Sequence, residues 1–372
     1  MKIAFTETEQ PETDFFKAAL NEHDLRFPSE VREVEADTEI LCIYITSQID
    51  AAFLEEHPEL KLITTRSAGH DHIDVSECSR RGVIVCELPG SNANTVAEHT
   101  FALILALSRR LLEAREVKKE TRFSFERWRG FELENKTLGV IGAGQTGQRV
   151  IHLALAFGMK VLACDPYQQT DVREGVRYVP LDELLRESHI ISLHTPLTAE
   201  TFHLLDRDAL AQCRRGALVI NTSRGAVIDT DALIEALDTG TIGGAGLDVL
   251  EEESVLRKDA GKIVADQIIE RLHNASPQTE ATMRTPEGIE QIETLFRNEW
   301  LLSRPNVVFT PHVAFNSVEA VERMLMMTLE NIRAFLAGKP INIVTSRTSA
   351  MRRPQERRGA QEKAKSKRQA KG

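Results

Sequence analysis

The order of apolar and polar residues along this chain alternates between two patterns. Short apolar runs, typical of buried parallel strands, are separated by longer stretches in which apolar residues recur at helical spacing. Before residue 100, the predicted strands are Lys2–Thr6, Ile40–Ile45, Leu60–Arg66 and Val83–Glu87. Amphipathic stretches with helical spacing lie between them, such as Thr13–Asn21 and Val75–Arg81. This alternation predicts a small parallel α/β domain.

A second series of apolar runs begins at Thr137. Before it, a strongly apolar helix extends to about Leu112, with Thr95 and Glu98 as its expected capping box, and its composition favours a packed inter-domain or dimer element. The series itself predicts seven parallel strands at the spacing of βα units. These are Thr137–Ile141, Lys160–Cys164, Arg177–Val179, His189–His194, Ala217–Asn221, Gly244–Val249 and Asn306–Thr310.

The first strand of this series leads into a glycine-rich turn. Gly142, Gly144 and Gly147 form G-x-G-x-x-G, followed by a helical pattern and a second strand that ends at Asp165. The glycines allow a tight turn, close approach of the backbone to a pyrophosphate, and packing of helix on strand, while the helix N-terminus supplies free N–H groups. We therefore interpret the motif as a dinucleotide site rather than a plain turn. Asp165 can accept hydrogen bonds from ribose hydroxyls but would repel a 2′-phosphate, which favours NAD over NADP.

Together the patterns predict an α/β protein with two doubly wound parallel-sheet domains. A Rossmann NAD-binding domain is inserted into a smaller, flavodoxin-like substrate domain, to which the chain returns through a predicted helix at Ser317–Leu336 and the segment Gly338–Val344. The predicted ranges are 1–99 with 317–345 for the substrate domain, 100–316 for the Rossmann domain with a long polar connection at 254–304, and 346–372 for a disordered basic tail.

Composition and charge exclude several classes of function. With 42% hydrophobic and 27% charged residues, no apolar stretch long enough to span a bilayer and no signal-peptide core, the chain is expected to be cytoplasmic and without a membrane partner. Its net charge of −10 conceals ten Lys or Arg against two Glu in residues 346–372, which leaves −18 on the rest. Such an acidic body disfavours nucleic-acid binding except through the tail.

Metal binding and disulfides are not expected. The five cysteines are scattered without a C-x-x-C pair, which predicts buried reduced thiols. The loop after the third predicted strand carries His70, Asp71, His72 and Asp74, but this spacing fits no familiar metal motif. The sequence therefore predicts no metal site.

Three later strands end in polar residues of complementary chemistry. Arg224 follows one strand, the carboxylates of Asp248 and Glu253 follow the next, and His312 follows the last. An arginine fork can bind a carboxylate at two points, and a histidine beside an acid can move a proton near neutral pH. Each residue alone fits a structural role. Together, at the carboxyl edge of a sheet beside a nucleotide crevice, they suit hydride exchange between nicotinamide and a 2-hydroxy acid.

Seven motifs of this chain resemble those of the D-isomer-specific 2-hydroxyacid dehydrogenases. They are SAGHDHID, NTVAEH, GVIGAGQTGQRV, HTPLT, INTSRGAVID, GAGLDVLEEE and TPHVAF, and they cover nearly everything from about residue 40 to 345 except the connection 254–304. The sequence TPHVAFNS is more similar to the D-lactate dehydrogenase branch than to the phosphoglycerate branch. Glu253 stands where the formate dehydrogenase branch has glutamine, which disfavours that branch.

The resemblance implies roles for individual residues. Arg224 would hold the substrate carboxylate and polarise its carbonyl, His312 would be the acid/base, and Glu253 its partner. Asp248 would contact the nicotinamide side. The implied substrate-binding residues are Ala68, Gly69, Asn92 and Arg224. The implied cofactor-binding residues are Gly142, Gly144, Gln145, Thr146, Gly147, Asp165, His194, Thr195, Pro196, Thr222, Ser223 and Asp248. The 63 residues between Asp248 and His312 exceed what is usual in the family.

The resulting hypothesis is an NAD-dependent homodimeric enzyme that interconverts a D-2-hydroxy acid, with D-lactate as the leading candidate, and its 2-oxo acid. Two alternatives remain open, a corepressor-like NAD(H) sensor on the same fold and a phosphoglycerate- or glyoxylate-type dehydrogenase. For the basic tail, a role in solubility or localisation is favoured over binding of nucleic acid or an acidic partner.

Overall fold

A computed structural model of this chain describes residues 1–45, 47–67, 69–115, 126, 128–167, 174–251, 294 and 296–344. Residue contacts divide the chain into two compact units. The first contains Met1–Asn92, Pro196–Glu200 and the chain from Asn316, and the second contains Ala93–Thr195 and Thr201–Phe315. Several sequence predictions fall outside the described residues, namely Ala68, Glu253, most of the connection 254–304 and the tail 346–372.

The regular elements follow the predicted alternation of strands and helices. The strands are β1 Lys2–Phe5, β2 Asp24–Arg26, β3 Ile40–Ile43, β4 Leu62–Thr65, β5 Ile84–Cys86, β6 Thr137–Ile141, β7 Lys160–Cys164, β8 Val176–Tyr178, β9 Ile190–Leu193, β10 Ala217–Asn221, β11 Ile242–Leu247 and β12 Val307–Phe309. The helices are α1 Gln10–Ala19, α2 Ala51–Glu56, α3 Val75–Arg80, α4 Ala93–Ser108, α5 Leu111–Arg115, α6 Gln145–Ala156, α7 Leu181–Glu187, α8 Arg207–Ala211, α9 Thr230–Asp238 and α10 Val318–Leu336.

The first unit is built on a five-stranded parallel sheet in the order β2-β1-β3-β4-β5, the flavodoxin-like order. Two of its helices begin at aspartate caps, because Asp50 accepts a hydrogen bond from Phe53 N at 2.8 Å and Asp74 accepts one from Glu77 N at 2.9 Å. The prediction missed β2. Its three residues are only half-buried and contain no apolar run.

The chain returns to this first unit through α10. Ser317 caps the helix by accepting a hydrogen bond from Ala320 N at 3.2 Å. Beyond the helix, Ile343 forms an antiparallel bridge with Cys86, and Val344 N donates to Val85 O at 2.8 Å. The C-terminal segment therefore extends the hydrogen bonding of β5.

The second unit contains a seven-stranded parallel sheet in the order β12-β11-β10-β9-β6-β7-β8. This is the doubly wound Rossmann order with one further strand. The predicted fold class of two doubly wound parallel sheets is confirmed. A buried core joins the sheet to α4 and α6, and includes Leu103, Ile104, Val140 and Val150.

Two details of the predicted apolar helix are wrong. The helix α4 begins at Ala93, so Thr95 is its third residue and does not cap it. The helix also ends at Ser108 instead of continuing to Leu112, because Arg110 adopts a left-handed backbone with φ of +53° before α5 begins. Since all of α4 belongs to the second unit, the division between units falls at Ala93, before the predicted boundary at residue 100.

The five cysteines are free, and four of them are buried. Among the described residues, no helix is long and apolar enough to cross a membrane. The same part of the chain contains no group of three or more side chains arranged to hold a metal ion.

Candidate active site

The glycine-rich turn connects β6 to α6 and leaves one face of the backbone open. A Cβ on Gly142, whose φ is +90°, would lie 2.7 Å from His194 O, and a Cβ on Gly147 would lie 2.0 Å from Gly142 O. A Cβ on Gly144 would meet nothing within 4 Å. Gly144 is also the N-cap of α6 and provides no capping side chain. The first N–H groups of the helix, at Gln145 and Thr146, therefore stand beside open space suited to a phosphate.

Asp165 follows β7 and lies against this turn. Its Oδ2 accepts a hydrogen bond from Ala143 N at 2.7 Å, and its Oδ1 accepts one from Tyr167 N at 2.8 Å. These backbone bonds fix the direction of the carboxylate. A carboxylate has about four acceptor sites, so a group of this kind can accept hydrogen bonds from vicinal hydroxyls as well as from backbone N–H groups.

Two orphaned polar atoms follow β9 on the other side of Gly142. His194 Nδ1 and Thr195 Oγ1 are buried and have no hydrogen-bond partner among the described residues. Burial lowers the pKa of His194 to about 3, so the imidazole is neutral near pH 7, and its Nε2 lies 2.8 Å from Ser192 Oγ. Buried polar atoms normally have partners. Orphaned atoms beside an open glycine turn fit a bound dinucleotide. Pro196, the next residue, groups with the first unit.

The loop that carries Arg224 is held by the last residue of β10. The Oδ1 of buried Asn221 accepts hydrogen bonds from Ser223 N at 3.0 Å and Ser223 Oγ at 2.8 Å, while its Nδ2 donates to Arg224 O at 2.9 Å. The half-buried guanidinium of Arg224 donates through Nη1 to Ser223 O at 2.8 Å. Between these residues, Thr222 Oγ1 lies 3.0 Å from Thr100 Oγ1 on α4. These hydrogen bonds hold the loop on the N-terminal side of its arginine.

The loop that carries His312 is held by Asp248. This carboxylate is 1% exposed. Its Oδ1 accepts hydrogen bonds from Thr310 Oγ1 at 2.6 Å and Val313 N at 2.9 Å, and its Oδ2 accepts one from Ala314 N at 2.9 Å. His312 lies between these contacts and has a φ of +54°, a strained conformation for a non-glycine residue. Its ring makes an edge contact with Phe315 at 6.2 Å between centroids.

Backbone hydrogen bonds join these loops across neighbouring strand ends. Asp248 N donates to Asn221 O at 2.9 Å, and His312 N donates to Asp248 O at 2.7 Å. The loops after β10, β11 and β12 therefore lie side by side. This arrangement places Arg224 and His312 in loops of one sheet edge in the second unit.

A third contact region supports the turn after Arg224. A Cβ on Gly225 would lie 1.9 Å from the carbonyl of Leu250, so only glycine fits where this turn meets the chain leaving β11. Next to it, Glu251 Oε1 pairs with His203 Nε2 at 2.7 Å, and Glu251 Oε2 accepts a hydrogen bond from Thr230 Oγ1 at 3.0 Å. These contacts fix the chain two residues before Glu253, which itself lies outside the described residues.

In the first unit, the loop after β4 contains Gly69 and two histidines that lie within hydrogen-bond distance of neighbouring side chains. His70 is buried, with Nδ1 2.6 Å from Glu87 Oε2, while His72 Nε2 lies 3.3 Å from Thr65 Oγ1. Asn92 is the last residue of the first part of this unit. The substrate-binding roles of Gly69 and Asn92 stay predictions.

The sequence analysis did not identify Asn221, Thr310, Gly225 or His99 as residues of the site. Asn221 and Thr310 could have been found as the polar residues at the strand ends next to the loops of Arg224 and His312. The partner of His99, described below, is 211 residues away in the chain, and spacing gives no signal of it.

This chain is similar to known proteins of one enzyme family. Residues 101–314 match the family model described as D-isomer specific 2-hydroxyacid dehydrogenase, NAD binding domain. A glyoxylate reductase of Korarchaeum cryptofilum is 35% identical over 326 residues, which cover 86% of this chain and 86% of the reductase. The D-lactate dehydrogenase of Escherichia coli is 32% identical over 91% of this chain and 98% of its own length.

The solved structures give the same result. The D-lactate dehydrogenase of Aquifex aeolicus, whose crystal structure contains NAD and lactic acid, superposes with a TM-score of 0.75 at 36% identity. The match covers 91% of this chain and 96% of that protein.

Proposed function

Because this chain belongs to the D-isomer-specific 2-hydroxyacid dehydrogenase family, we propose that Arg224, Glu253 and His312 are its catalytic residues. The protein is an NAD-dependent oxidoreductase that interconverts a 2-hydroxy acid and its 2-oxo acid. The observation that most supports the assignment of Arg224 and His312 is the hydrogen-bonded series Asn221–Asp248–His312. It joins the ends of the consecutive strands β10, β11 and β12, and with them the arginine and histidine loops.

The proposed roles follow from the chemistry of each group. The Arg224 guanidinium binds the substrate carboxylate with two parallel N–H groups and draws electron density from the neighbouring carbonyl. His312 donates a proton to the carbonyl oxygen during reduction and removes it from the hydroxyl during oxidation. Glu253 stabilises the charged imidazolium. We also propose that the peptide groups at Ala68 and Gly69 and the side chain of Asn92 bind substrate.

NAD is held, in this proposal, by the open glycine turn and its neighbours. Gly144, Gln145 and Thr146 face the pyrophosphate, and Asp165 accepts from the ribose hydroxyls. The peptide groups around Gly142 and Gly147 shape the turn. The remaining contacts are assigned to His194, Thr195, Pro196, Thr222, Ser223 and Asp248. The cofactor supplies the hydride acceptor for oxidation and the hydride donor for reduction.

Asp248 has two roles in this proposal, of which one is structural support of the His312 loop and the other is contact with the cofactor. Its described contacts are with protein groups of the His312 loop. A contact with the nicotinamide side stays a prediction, whereas its support of the loop is seen directly.

For the substrate, we propose a short, unphosphorylated 2-oxo acid, with pyruvate as the leading candidate. Support comes from relatives that are named D-lactate dehydrogenase, glyoxylate reductase and hydroxypyruvate reductase. A homodimer in the cytoplasm is part of the same proposal. The cytoplasmic location rests on the composition of the chain, and the homodimer stays a prediction, because the apolar residues of α4 are buried in the core of their own unit.

A steady-state screen tests the proposed function. Pyruvate, glyoxylate, hydroxypyruvate, 3-phosphohydroxypyruvate and branched 2-oxo acids would each be measured with NADH and with NADPH. We expect turnover of a short 2-oxo acid, with a higher kcat/KM for NADH because the Asp165 carboxylate repels a 2′-phosphate. Binding of NADH without turnover of any 2-oxo acid would indicate the sensor instead, and equal kcat/KM for the two cofactors would contradict the role of Asp165.

A further inference from the structure

Two consecutive residues of α4 contact the two catalytic loops. His99 Nε2 lies 2.9 Å from Thr310 Oγ1 and 3.5 Å from Asp248 Oδ1, next to the His312 loop. Thr100 Oγ1 lies 3.0 Å from Thr222 Oγ1, in the Arg224 loop. One helix of the second unit thus reaches both loops from the same turn.

The direction of the first contact follows from the proton of Thr310. A hydroxyl has one proton, and Thr310 Oγ1 donates it to Asp248 Oδ1 over 2.6 Å. Thr310 can therefore only accept from His99, so Nε2 of His99 must carry a proton. That N–H is also close to the buried Asp248 carboxylate, which gains a positive dipole beside its negative charge.

The second contact is directional for the same reason. Thr100 Oγ1 donates to Val96 O at 2.8 Å, one turn earlier in α4. It must then accept the proton of Thr222. The hydroxyls of Thr310 and Thr100 each donate to a second partner, which is Asp248 for Thr310 and the Val96 carbonyl for Thr100. Rotation of either hydroxyl would therefore break a hydrogen bond.

The position of His312 depends on the first contact. Thr310 and Val313, which stand on either side of the histidine, both donate to Asp248 Oδ1. The N–H of His99 donates to Thr310 Oγ1 and so fixes the orientation of this hydroxyl. A residue at φ of +54° persists only when its surroundings determine its conformation, and these bonds supply that constraint.

We propose that His99 is a positioning residue that aligns His312 for proton transfer through Thr310 and Asp248, and that Thr100 aligns the Arg224 loop through Thr222. The proposal rests on the proposed function, in which His312 and Arg224 act on the substrate. His99 itself does not touch the reacting atoms. Its removal should therefore weaken catalysis only through His312.

The variant His99→Leu replaces the imidazole with an apolar side chain of similar size and so removes the N–H. We expect kcat to fall by roughly tenfold to a hundredfold, the effect of a small misplacement of a catalytic group, while KM for the 2-oxo acid changes little. His99→Gln keeps an N–H donor near the position of Nε2 and should restore most of the loss. Thr100→Val should instead raise KM, because it acts on the arginine loop, and Thr100→Ser should not. Glu98→Gln, an exposed change on the same helix, is the matched control.

A double-mutant cycle separates positioning from a general effect on the fold. In the His312→Ala background, His99→Leu should produce no further loss of kcat, since there is no imidazole left to align. Independent, multiplicative losses would overturn the proposal, as would a His99→Leu enzyme with unchanged kcat. If His99→Leu does not fold, Thr310→Val removes the hydroxyl that His99 contacts and Thr310→Ser keeps it. The same double-mutant cycle is then measured with these two variants.

The cycle also distinguishes this inference from the proposed function. If His312→Ala retains its kcat, the catalytic assignment is wrong. If His312→Ala is inactive but neither His99→Leu nor Thr310→Val changes kcat, only the positioning role is wrong. NADH binding, measured by fluorescence, should stay unchanged in every variant of the His99 series.

Discussion

Hydrogen bonds to neighbouring loop residues hold the backbones of Arg224 and His312. Arg224 O accepts from Asn221, and His312 N donates to both Asp248 O and Thr310 O. In the proposed mechanism, groups on such constrained backbones lose little further entropy when substrate binds. Substitution of their side chains should therefore change the chemistry without changing the loops.

The first prediction concerns these side chains. His312→Ala should lower kcat in both directions by roughly 10²–10⁴, as expected for a lost acid/base. Arg224→Lys should mainly raise KM for the 2-oxo acid, because a point charge cannot reproduce the fork. Glu253→Gln keeps the shape but removes the charge that favours the imidazolium, so the upper pH limit of reduction should move to lower pH. Steady-state kinetics across pH check all three, and pH profiles unaltered by Glu253→Gln would show that another group pairs with His312.

Two glycines of the second unit give a matched pair for the second prediction. Gly144→Ala adds a methyl group into open space at an ordinary φ of −67°, so it should leave the melting temperature unchanged but weaken NADH binding. Gly225→Ala would place its methyl group 1.9 Å from the Leu250 carbonyl, so it should lower the melting temperature. Thermal melts and NADH titrations measure the two effects. The reverse pattern would mean that the open face of Gly144 is not the cofactor side.

At the scale of elements, the hydrogen bond between His203 and Glu251 connects three segments. His203 N donates to Ala226 O at 2.9 Å in the turn after Arg224, and Glu251 leaves β11 and also accepts from Thr230 at the start of α9. Burial alone would raise the pKa of Glu251, but the hydrogen bond and charge of His203, the Thr230 hydroxyl and the charge of Arg297 outweigh it, so the pKa is lowered. The carboxylate form is therefore the one that stabilises the fold.

The third prediction follows from the sign of that shift. A carboxyl group with a lowered folded-state pKa contributes stability above its unfolded value, near 4.5, and loses the contribution as pH falls below it. Glu251→Gln should destabilise the protein at pH 7 by about 1–3 kcal/mol. The difference from wild type should shrink only below the unfolded value, so that it is smaller at about pH 3 than at pH 7. Melting temperatures at both pH values check this. Glu235→Gln, which breaks an exposed pair with Arg207 at 2.9 Å, is the control and should have little effect.

Elements with a strong apolar pattern could be predicted from sequence, and elements set by tertiary contacts could not. The bounds of β6, β7 and β10 agree with the prediction because each is a continuous apolar run between polar turns. The end of α4 depends on the left-handed backbone at Arg110, and Leu-Ser-Arg-Arg-Leu-Leu gives no local signal for it.

The same distinction applies to the candidate site. Arg224 and His312 could be predicted because polar residues after parallel strands meet at one sheet edge. The contacts of His99 with Thr310 and of His203 with Glu251 join segments 211 and 48 residues apart, and a single sequence contains no measure of such distances. These contacts depend on how α4 and the loop after β9 pack in the folded chain.

At the scale of the whole molecule, each unit completes its own sheet by hydrogen bonds from a late segment of the chain. In the second unit β12 pairs with β11, and in the first the segment after α10 pairs with β5. The first unit therefore depends on residues near Val344, although most of its chain precedes Asn92. Removal of residues before Val344 should cost stability, whereas residues beyond it are expected from their composition to contribute none.

The fourth prediction applies this to the basic tail. Residues 346–372 carry ten Lys or Arg and lack the apolar content needed to pack, and the closing hydrogen bond of the first unit is made by Val344. Truncation after Thr345 should leave kcat, KM and the melting temperature nearly unchanged at moderate salt. Truncation after Leu336, which also removes the bonds of Ile343 and Val344 with β5, should lower the melting temperature and serves as the contrasting variant. A large loss of activity on truncation after Thr345 would show that the folded enzyme extends into the tail.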